Sequence, residues 1–327
     1  MSFKIVVIGC GWITTTCHAP AYVEYARSHP QVRLAACCDM DIQKAKKLAA
    51  AFGFEHAYDD YQAMLKAEQP DVVCLNVQER YICQLGCQVM QAGFALITEK
   101  PPGLVVEEID RLIATAKSSG VSNQVAFNRR YAPVIQELKR RLENLEVQHF
   151  QVEFTRVKRV NEDFSTTAVH AVDLVRFLAG KDYNFIRFNY QEMPELGQNT
   201  ANFFMNCRMV GGQTAQLNFF PVSGKVSERY TVYAVDNLLS ASLNMGPDAP
   251  GHFSHYQGGK TVAKIDAVGL TQRQEGVFLD GFYNEDAAFF DALQNDWQPS
   301  PSFAECRQSI EIMQCLRQRC PEYISDK

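Results

Sequence analysis

The first residues able to do chemistry are a glycine pair, Gly9-Cys10-Gly11, followed by Trp12, Ile13 and Thr14. They come directly after the β-branched run at 4–8 and open a stretch of helical character. A strand, a glycine turn and a helix N-terminus in that order can hold a diphosphate. The first glycine permits the tight turn, the second lets the backbone approach the ligand, and the free N–H groups and dipole of the helix favour an anion. The third small position of this pattern is Thr14, which predicts looser helix–strand packing there. Trp12 is expected to pack rather than react. Asp39 closes the second apolar run, 30 residues after Gly9. A carboxylate there accepts hydrogen bonds from an adenosine ribose and repels a 2′-phosphate. Met40 and Asp41 come next, with no arginine. The cofactor expected is therefore NAD, with NADP the lesser alternative.

Other reactive types are scattered. His170 and Asp173 are three apart in a helical stretch and share a face. The aspartate either orients the imidazole or forms a local polar pair. Arg156 and Lys158 alternate along an extended segment and share one face. They suit a hydroxyl-rich or anionic substrate, or else a charged strand edge that resists aggregation. Lys139-Arg140-Arg141 reads as the solvated face of a helix. His252 and His255, in a loop or strand, have no Cys or Glu cluster beside them, so no metal site is expected. The 11 cysteines include no Cys-x-x-Cys and no zinc spacing. Several stand in apolar runs, such as Cys37-Cys38 and Cys74, and read as buried, reduced thiols. That pattern points to the cytoplasm.

These residues need elements to hold them. Strands are expected at 4–8, 32–38, 71–75, 94–97 and 122–127, alternating with helices at 12–27, 41–52, 80–92, 107–118 and 132–145. Short apolar strands between amphipathic helices argue for a doubly wound parallel sheet. Beyond that the texture changes to extended segments at 148–160, 184–192, 200–210, 213–221, 228–235 and 238–244. One helix interrupts them at 167–179, stopped by Gly180, and helices at 284–295 and 303–318 close the chain. The fold class expected is α/β, with a parallel domain at 1–125 and an α+β domain at 126–327 built on an open, mainly antiparallel sheet. The Phe pairs at 203–204 and 219–220 are expected to split between core and dimer faces.

Composition narrows the function. The chain has 327 residues, 46% hydrophobic and 21% charged, which suits about two globular domains. Its net charge of −5 gives no overall basic footprint, so no nucleic-acid partner is expected. No apolar run reaches the roughly 18–20 residues that span a bilayer, so no membrane partner is expected either. The run at 5–13 resembles a short signal peptide, but Gly9 and Gly11 already account for it.

Four stretches together resemble the Gfo/Idh/MocA oxidoreductases: IVVIGCGWI with the later HAPAY, Glu99-Lys100-Pro101, FNRRYAP at 127–133, and HAVDLVRFLAG at 170–180. The compact stretch before His170 is most similar to a bacterial, virulence-factor-like subgroup. The resemblance implies an N-terminal Rossmann domain and a C-terminal domain whose open sheet forms homodimers or homotetramers. It implies a sugar or polyol substrate oxidised with NAD(P), or the reverse reaction. In that chemistry hydride leaves a carbinol carbon while its hydroxyl loses a proton. By resemblance Lys100 stabilises the alkoxide and His170 moves the proton. Glu99 helps hold the nicotinamide ribose, Asn76 stands in a cofactor-binding turn, and Asn128 and Arg129 lie by the cofactor and substrate.

The chain also departs from the family. An Asp usually precedes the histidine by three or four residues, where this chain has Thr167 and Thr166. A threonine hydrogen-bonds but does not titrate near neutral pH. The two are candidate substrate contacts. The turn at Asn76-Val77 replaces a usual Thr-Pro pair. These changes leave a second function open, a non-redox nucleotide- or sugar-binding sensor that has lost catalysis.

Overall fold

The computed structural model describes residues 2–243 and 250–325. The chain divides into two compact units: residues up to Asn128 with Phe282–Ile310, and Arg129–Gly281 with residues from Glu311 onward. A single cut after residue 125 was expected. The chain instead leaves the first unit after Asn128, returns to it at Phe282 and leaves it again after Ile310.

The first unit is built on a six-stranded parallel sheet. Its strands are β1 (Phe3–Ile8), β2 (Val32–Cys38), β3 (His56–Tyr58), β4 (Val72–Leu75), β5 (Ala95–Thr98) and β6 (Asn123–Val125), in the order β3-β2-β1-β4-β5-β6. The central strands β1 and β4 are almost wholly buried, which is why they read as unbroken apolar runs. The connecting helices are α1 (Ala19–Ser28), α2 (Ile42–Phe52), α3 (Tyr61–Glu68), α4 (Glu79–Gln91) and α5 (Val106–Ser119). Asp41 and Asp60 cap α2 and α3 by accepting from backbone N–H groups of their first turns. The short edge strand β3 and α3 carry too weak a pattern to be expected from sequence.

A later helix completes this unit. In the helix of Phe282–Gln294 (α10 in chain order), Phe289 and Phe290 are fully buried in the core of β1, β2 and α1. Phe290 packs against the rings of Phe3, Tyr22 and Tyr25 at 5.1–6.1 Å between centroids. Without them, α1 would expose two tyrosine faces.

The second unit holds a nine-stranded sheet, β14-β13-β12-β11-β7-β10-β9-β8-β15. In chain order the strands are β7 (Val147–Thr155), β8 (Tyr183–Glu192), β9 (Ala201–Met209), β10 (Thr214–Phe220), β11 (Ser227–Ala234), β12 (Asn237–Leu243), β13 (His252–Gln257), β14 (Lys260–Asp266) and β15 (Glu322–Ile324). Pairing is antiparallel except between β7 and β10. Residue 244, the last of the strand expected at 238–244, lies outside the described residues. The helices of this unit include α6 (Pro133–Leu142), α7 (Ser165–Ala179), α8 (Ala267–Thr271) and α9 (Gly276–Leu279), and α11 (Phe303–Arg317) runs through residue 310 into it.

Period-two alternation sorts the side chains. Phe203 and Phe219 are buried, while Phe204 and Phe220 meet at 5.9 Å on the half-exposed side. The strand expected to reach residue 160 ends at Thr155, so Arg156 and Lys158 do not share a strand face. Lys158 instead sits in an exposed loop with φ +53°. Lys139 is not a solvated charge: its ammonium donates to the carbonyls of Phe177 and Leu178 at the end of α7, where carbonyls lack helical partners. His252 and His255 lie on opposite faces of β13, one exposed and one buried. Among the described residues no helix is long and apolar enough to cross a membrane.

Phe290→Ala would empty the centre of the aromatic cluster. It is expected to destabilise the protein by about 3–5 kcal/mol, measured as a fall in the urea midpoint.

Candidate active site

In the first unit the strand order reverses between β1 and β4, and the glycine loop stands at their carboxyl ends. That is where open α/β sheets place ligands. Gly9 has φ +98°, and a Cβ on it would lie 2.3 Å from the carbonyl oxygen of Asn76. Both facts demand glycine. A Cβ on Gly11 would meet nothing within 4 Å among the described residues, so the backbone is open there. Asn76 is buried, with its amide 3.4 Å from the Tyr22 hydroxyl.

Asp39 stands beside the same loop. Its Oδ2 accepts from the Cys10 N–H at 2.9 Å and its Oδ1 from the Asp41 N–H at 3.0 Å. Thr14 does not loosen the turn: its buried hydroxyl donates to the Gly9 carbonyl at 2.6 Å, closing the loop on itself. The next helix is π-wound over Thr14–His18 before continuing as α1. Ile13 is half-buried. Trp12 does not pack but is 73% exposed, and Met40, directly after Asp39, is 91% exposed. These residues fit a dinucleotide: a glycine turn, an open backbone approach and an acid at the end of β2.

Glu99 and Lys100 come directly after β5. Glu99 is buried; its Oε2 accepts from the backbone N–H of Lys100 at 3.0 Å and its Oε1 lies 2.9 Å from His18 Nε2. The other ring nitrogen of His18 lies 3.0 Å from Asp286 Oδ2 on α10. Both oxygens of Glu99 are thus engaged inside the protein. Burial alone would lower the His18 pKa, but the charges and hydrogen bonds of Asp286 and Glu99 raise it well above the usual imidazole value. Burial opposes ionisation of Glu99, yet His18 and Lys100 hold its carboxyl below the ordinary range. In the sequence His18 stands only as a letter of the HAPAY stretch. Its partner Asp286 lies 268 residues away, and no local pattern links them.

The second unit holds the other expected residues. His170 lies buried in α7. Asp173 does not orient it: both carboxylate oxygens accept from Arg130, at 2.7 Å each. Arg129 and Arg156 share the buried Glu228, through hydrogen bonds of 3.0–3.2 Å and 2.5 Å. Burial would raise the Glu228 pKa, but the two guanidinium groups hold it below the ordinary value. These arginines form an internal ion cluster, which the alternation of charges in sequence did not foretell. The Thr166 hydroxyl donates to the Asp163 carbonyl at 2.9 Å, and Thr167 is buried in the first turn of α7. Asn128 is buried at the start of a short 3-10 turn, Asn128–Tyr131. Among the described residues no group of three or more His, Cys, Asp or Glu side chains could hold a metal ion.

Residues 3–127 match a family described as "Oxidoreductase family, NAD-binding Rossmann fold". Over 141 residues, 43% of this chain, the sequence is 30% identical to a D-glucoside 3-dehydrogenase of Escherichia coli. Over 143 residues, also 43%, it is 34% identical to a D-apiose dehydrogenase of Paraburkholderia graminis. These matches span 39% and 36% of those relatives' own lengths. The fold resembles that of a UDP-N-acetylglucosamine 3-dehydrogenase from Acidithiobacillus ferrooxidans, with a TM-score of 0.80, 21% identity and 96% of each chain covered.

The two glycines predict separable defects. Gly9→Ala must strain φ and push against Asn76, so it is expected to cost about 1–3 kcal/mol of stability along with NADH binding. Gly11→Ala is expected to leave the thermal midpoint in place and weaken NADH binding alone. Differential scanning fluorimetry with calorimetric titration separates the two.

Proposed function

We propose that the protein, whose residues 3–127 match an oxidoreductase family with an NAD-binding Rossmann fold, is an NAD-dependent dehydrogenase of a sugar or polyol hydroxyl. The observation that carries this is the first unit's own geometry. An open glycine backbone at Gly11, an acid at Asp39 and the Glu99-Lys100 pair stand at the carboxyl ends of β1, β2 and β5 of one parallel sheet. NAD, when bound, supplies the hydride acceptor. Lys100 offers an ammonium to the oxygen that becomes an alkoxide, and its backbone is fixed by Glu99. His170 is the group that takes the hydroxyl proton. Asn128 lines the cofactor, and Trp12, exposed on the glycine loop, covers it. Asp39 disfavours a 2′-phosphate, which supports NAD over NADP.

The half-exposed face of the second unit's sheet, with Phe204 and Phe220 in contact and Tyr233 and Leu238 exposed, supports self-association. The free cysteines support a reducing, cytoplasmic setting.

Lys100→Ala is expected to cut turnover about 10²–10³-fold while leaving NADH affinity nearly intact. Titration is expected to give tighter binding of NADH than of NADPH, with the difference narrowed in Asp39→Ser. A polyol and sugar screen that yields NADH, and loses it in His170→Ala, supports the dehydrogenase. Binding of neither nucleotide by folded protein would turn the assignment to a non-redox sensor.

A further inference from the structure

We propose that Cys10 and Cys37 form a redox pair: hydrogen peroxide joins them in a disulfide, and that bond pulls the glycine loop out of its nucleotide-binding form. The second half of this rests on the loop being the nucleotide site.

The fold brings the two side chains together beneath the glycine turn. Cys10 stands between Gly9 and Gly11. In the parallel pairing of β1 and β2, Ile8 lies opposite Cys38, and the Gly9 N–H donates to the Cys38 carbonyl at 2.8 Å. The loop thus turns across the end of β2. The Cys10 N–H is given to Asp39, but the Cys10 side chain turns inward. Its Sγ lies 3.5 Å from the Cys38 carbonyl, and the residue belongs to the same buried core cluster as Cys37. Cys37 Sγ lies 3.2 Å from the Ala45 carbonyl on α2. The Cys10 and Cys37 side chains hydrogen-bond to each other. Cys38 follows Cys37 in the chain, but successive residues of a strand point to opposite faces, and Cys38 is outside that cluster.

The pair suits oxidation. A thiolate, not a thiol, is the nucleophile. The hydrogen bond from Cys10 lowers the Cys37 pKa, against the opposing effect of burial. Passage of the Cys10 proton along that bond to Cys37 leaves the charge on Cys10. Cys10 keeps 6% exposure where Cys37 has none, and the backbone next to it is open at Gly11, so Cys10 meets the peroxide. Its sulfur bonds to one peroxide oxygen, the O–O bond breaks and hydroxide leaves, giving a sulfenic acid. Cys37 sulfur then bonds to Cys10 sulfur, the S–O bond breaks, and hydroxide departs with the Cys37 proton as water. Two thiols are oxidised and one peroxide is reduced to water.

The new bond moves the loop rather than the strand. Cys37 is paired on both sides, with Val7 of β1 and Ala57 of β3. A disulfide sets its sulfurs about 2.05 Å apart, well inside a hydrogen-bonded contact. Cys10 therefore yields, and it carries with it the N–H given to Asp39 and the backbone that leads into Gly11.

Peroxide treatment of the full chain, alkylation of the remaining thiols and unreduced peptide mass spectrometry map the bond. A Cys10–Cys37 link is expected, retained in Cys38→Ala, absent in Cys37→Ala and reversed by dithiothreitol. Calorimetric titration is expected to show NADH binding lost in the oxidised protein and regained on reduction, with Cys37→Ala insensitive to peroxide. No such link in folded, peroxide-treated wild-type protein would overturn the proposal, and so would a link that leaves NADH affinity unchanged. Should the reduced protein bind no NADH, the nucleotide reading fails separately, and hydrogen–deuterium exchange over residues 9–14 decides. Exchange altered by the link then supports the loop movement, and unaltered exchange overturns it.

Discussion

An imidazole held between two buried carboxyl groups ties together the parts of the first unit that the rest of its site depends on. His18 comes from the helix after the glycine loop, Glu99 from the end of β5 and Asp286 from α10. Taking such charges out of water costs several kcal/mol each, and the cost is met only when geometry and hydrogen bonding are complete. Here both ring nitrogens and three carboxylate oxygens are engaged. Remove His18 and two buried acids lose their shared partner at low dielectric. The three segments are therefore held in one arrangement, and the backbone of Lys100 with them. The aromatic cluster of Phe289 and Phe290 serves the same end by bringing α10 against β1 and α1.

The second unit uses charge in a similar way. Arg130 clamps Asp173 and Glu228 joins Arg129 to Arg156, all buried. Residues that look, in sequence, like a supply of positive charge for substrate are instead bound to acids of their own unit. A bidentate guanidinium–carboxylate pair fixes orientation as well as charge, so these pairs set the shape of the chain leaving the Asn128–Tyr131 turn and the start of α7.

The glycine loop shows how little of a side-chain pattern is redundant. Gly9 is required by its own φ and by the Asn76 carbonyl; a Cβ on Gly11 would meet no described atom within 4 Å. Thr14, the odd member of the pattern, offsets its bulk with a hydrogen bond to the turn before it. A departure that suggested looseness in the sequence proves to be a latch.

By itself the sequence determined the parallel and antiparallel sheets and the ends of most of their elements, because burial on two faces or on one writes itself as unbroken or alternating apolar runs. It also placed the glycine turn and the acid at the end of β2, because those depend on residues close in the chain and on backbone freedom that only glycine has. Tertiary structure alone decided the partners: His18 with Asp286, Asp173 with Arg130, Arg129 and Arg156 with Glu228, and the return of Phe282–Ile310 to the first unit. Those choices join residues 43 to 268 positions apart. Which acid a buried cation takes is set by where packing leaves each group without water, and periodicity along the chain carries no trace of that.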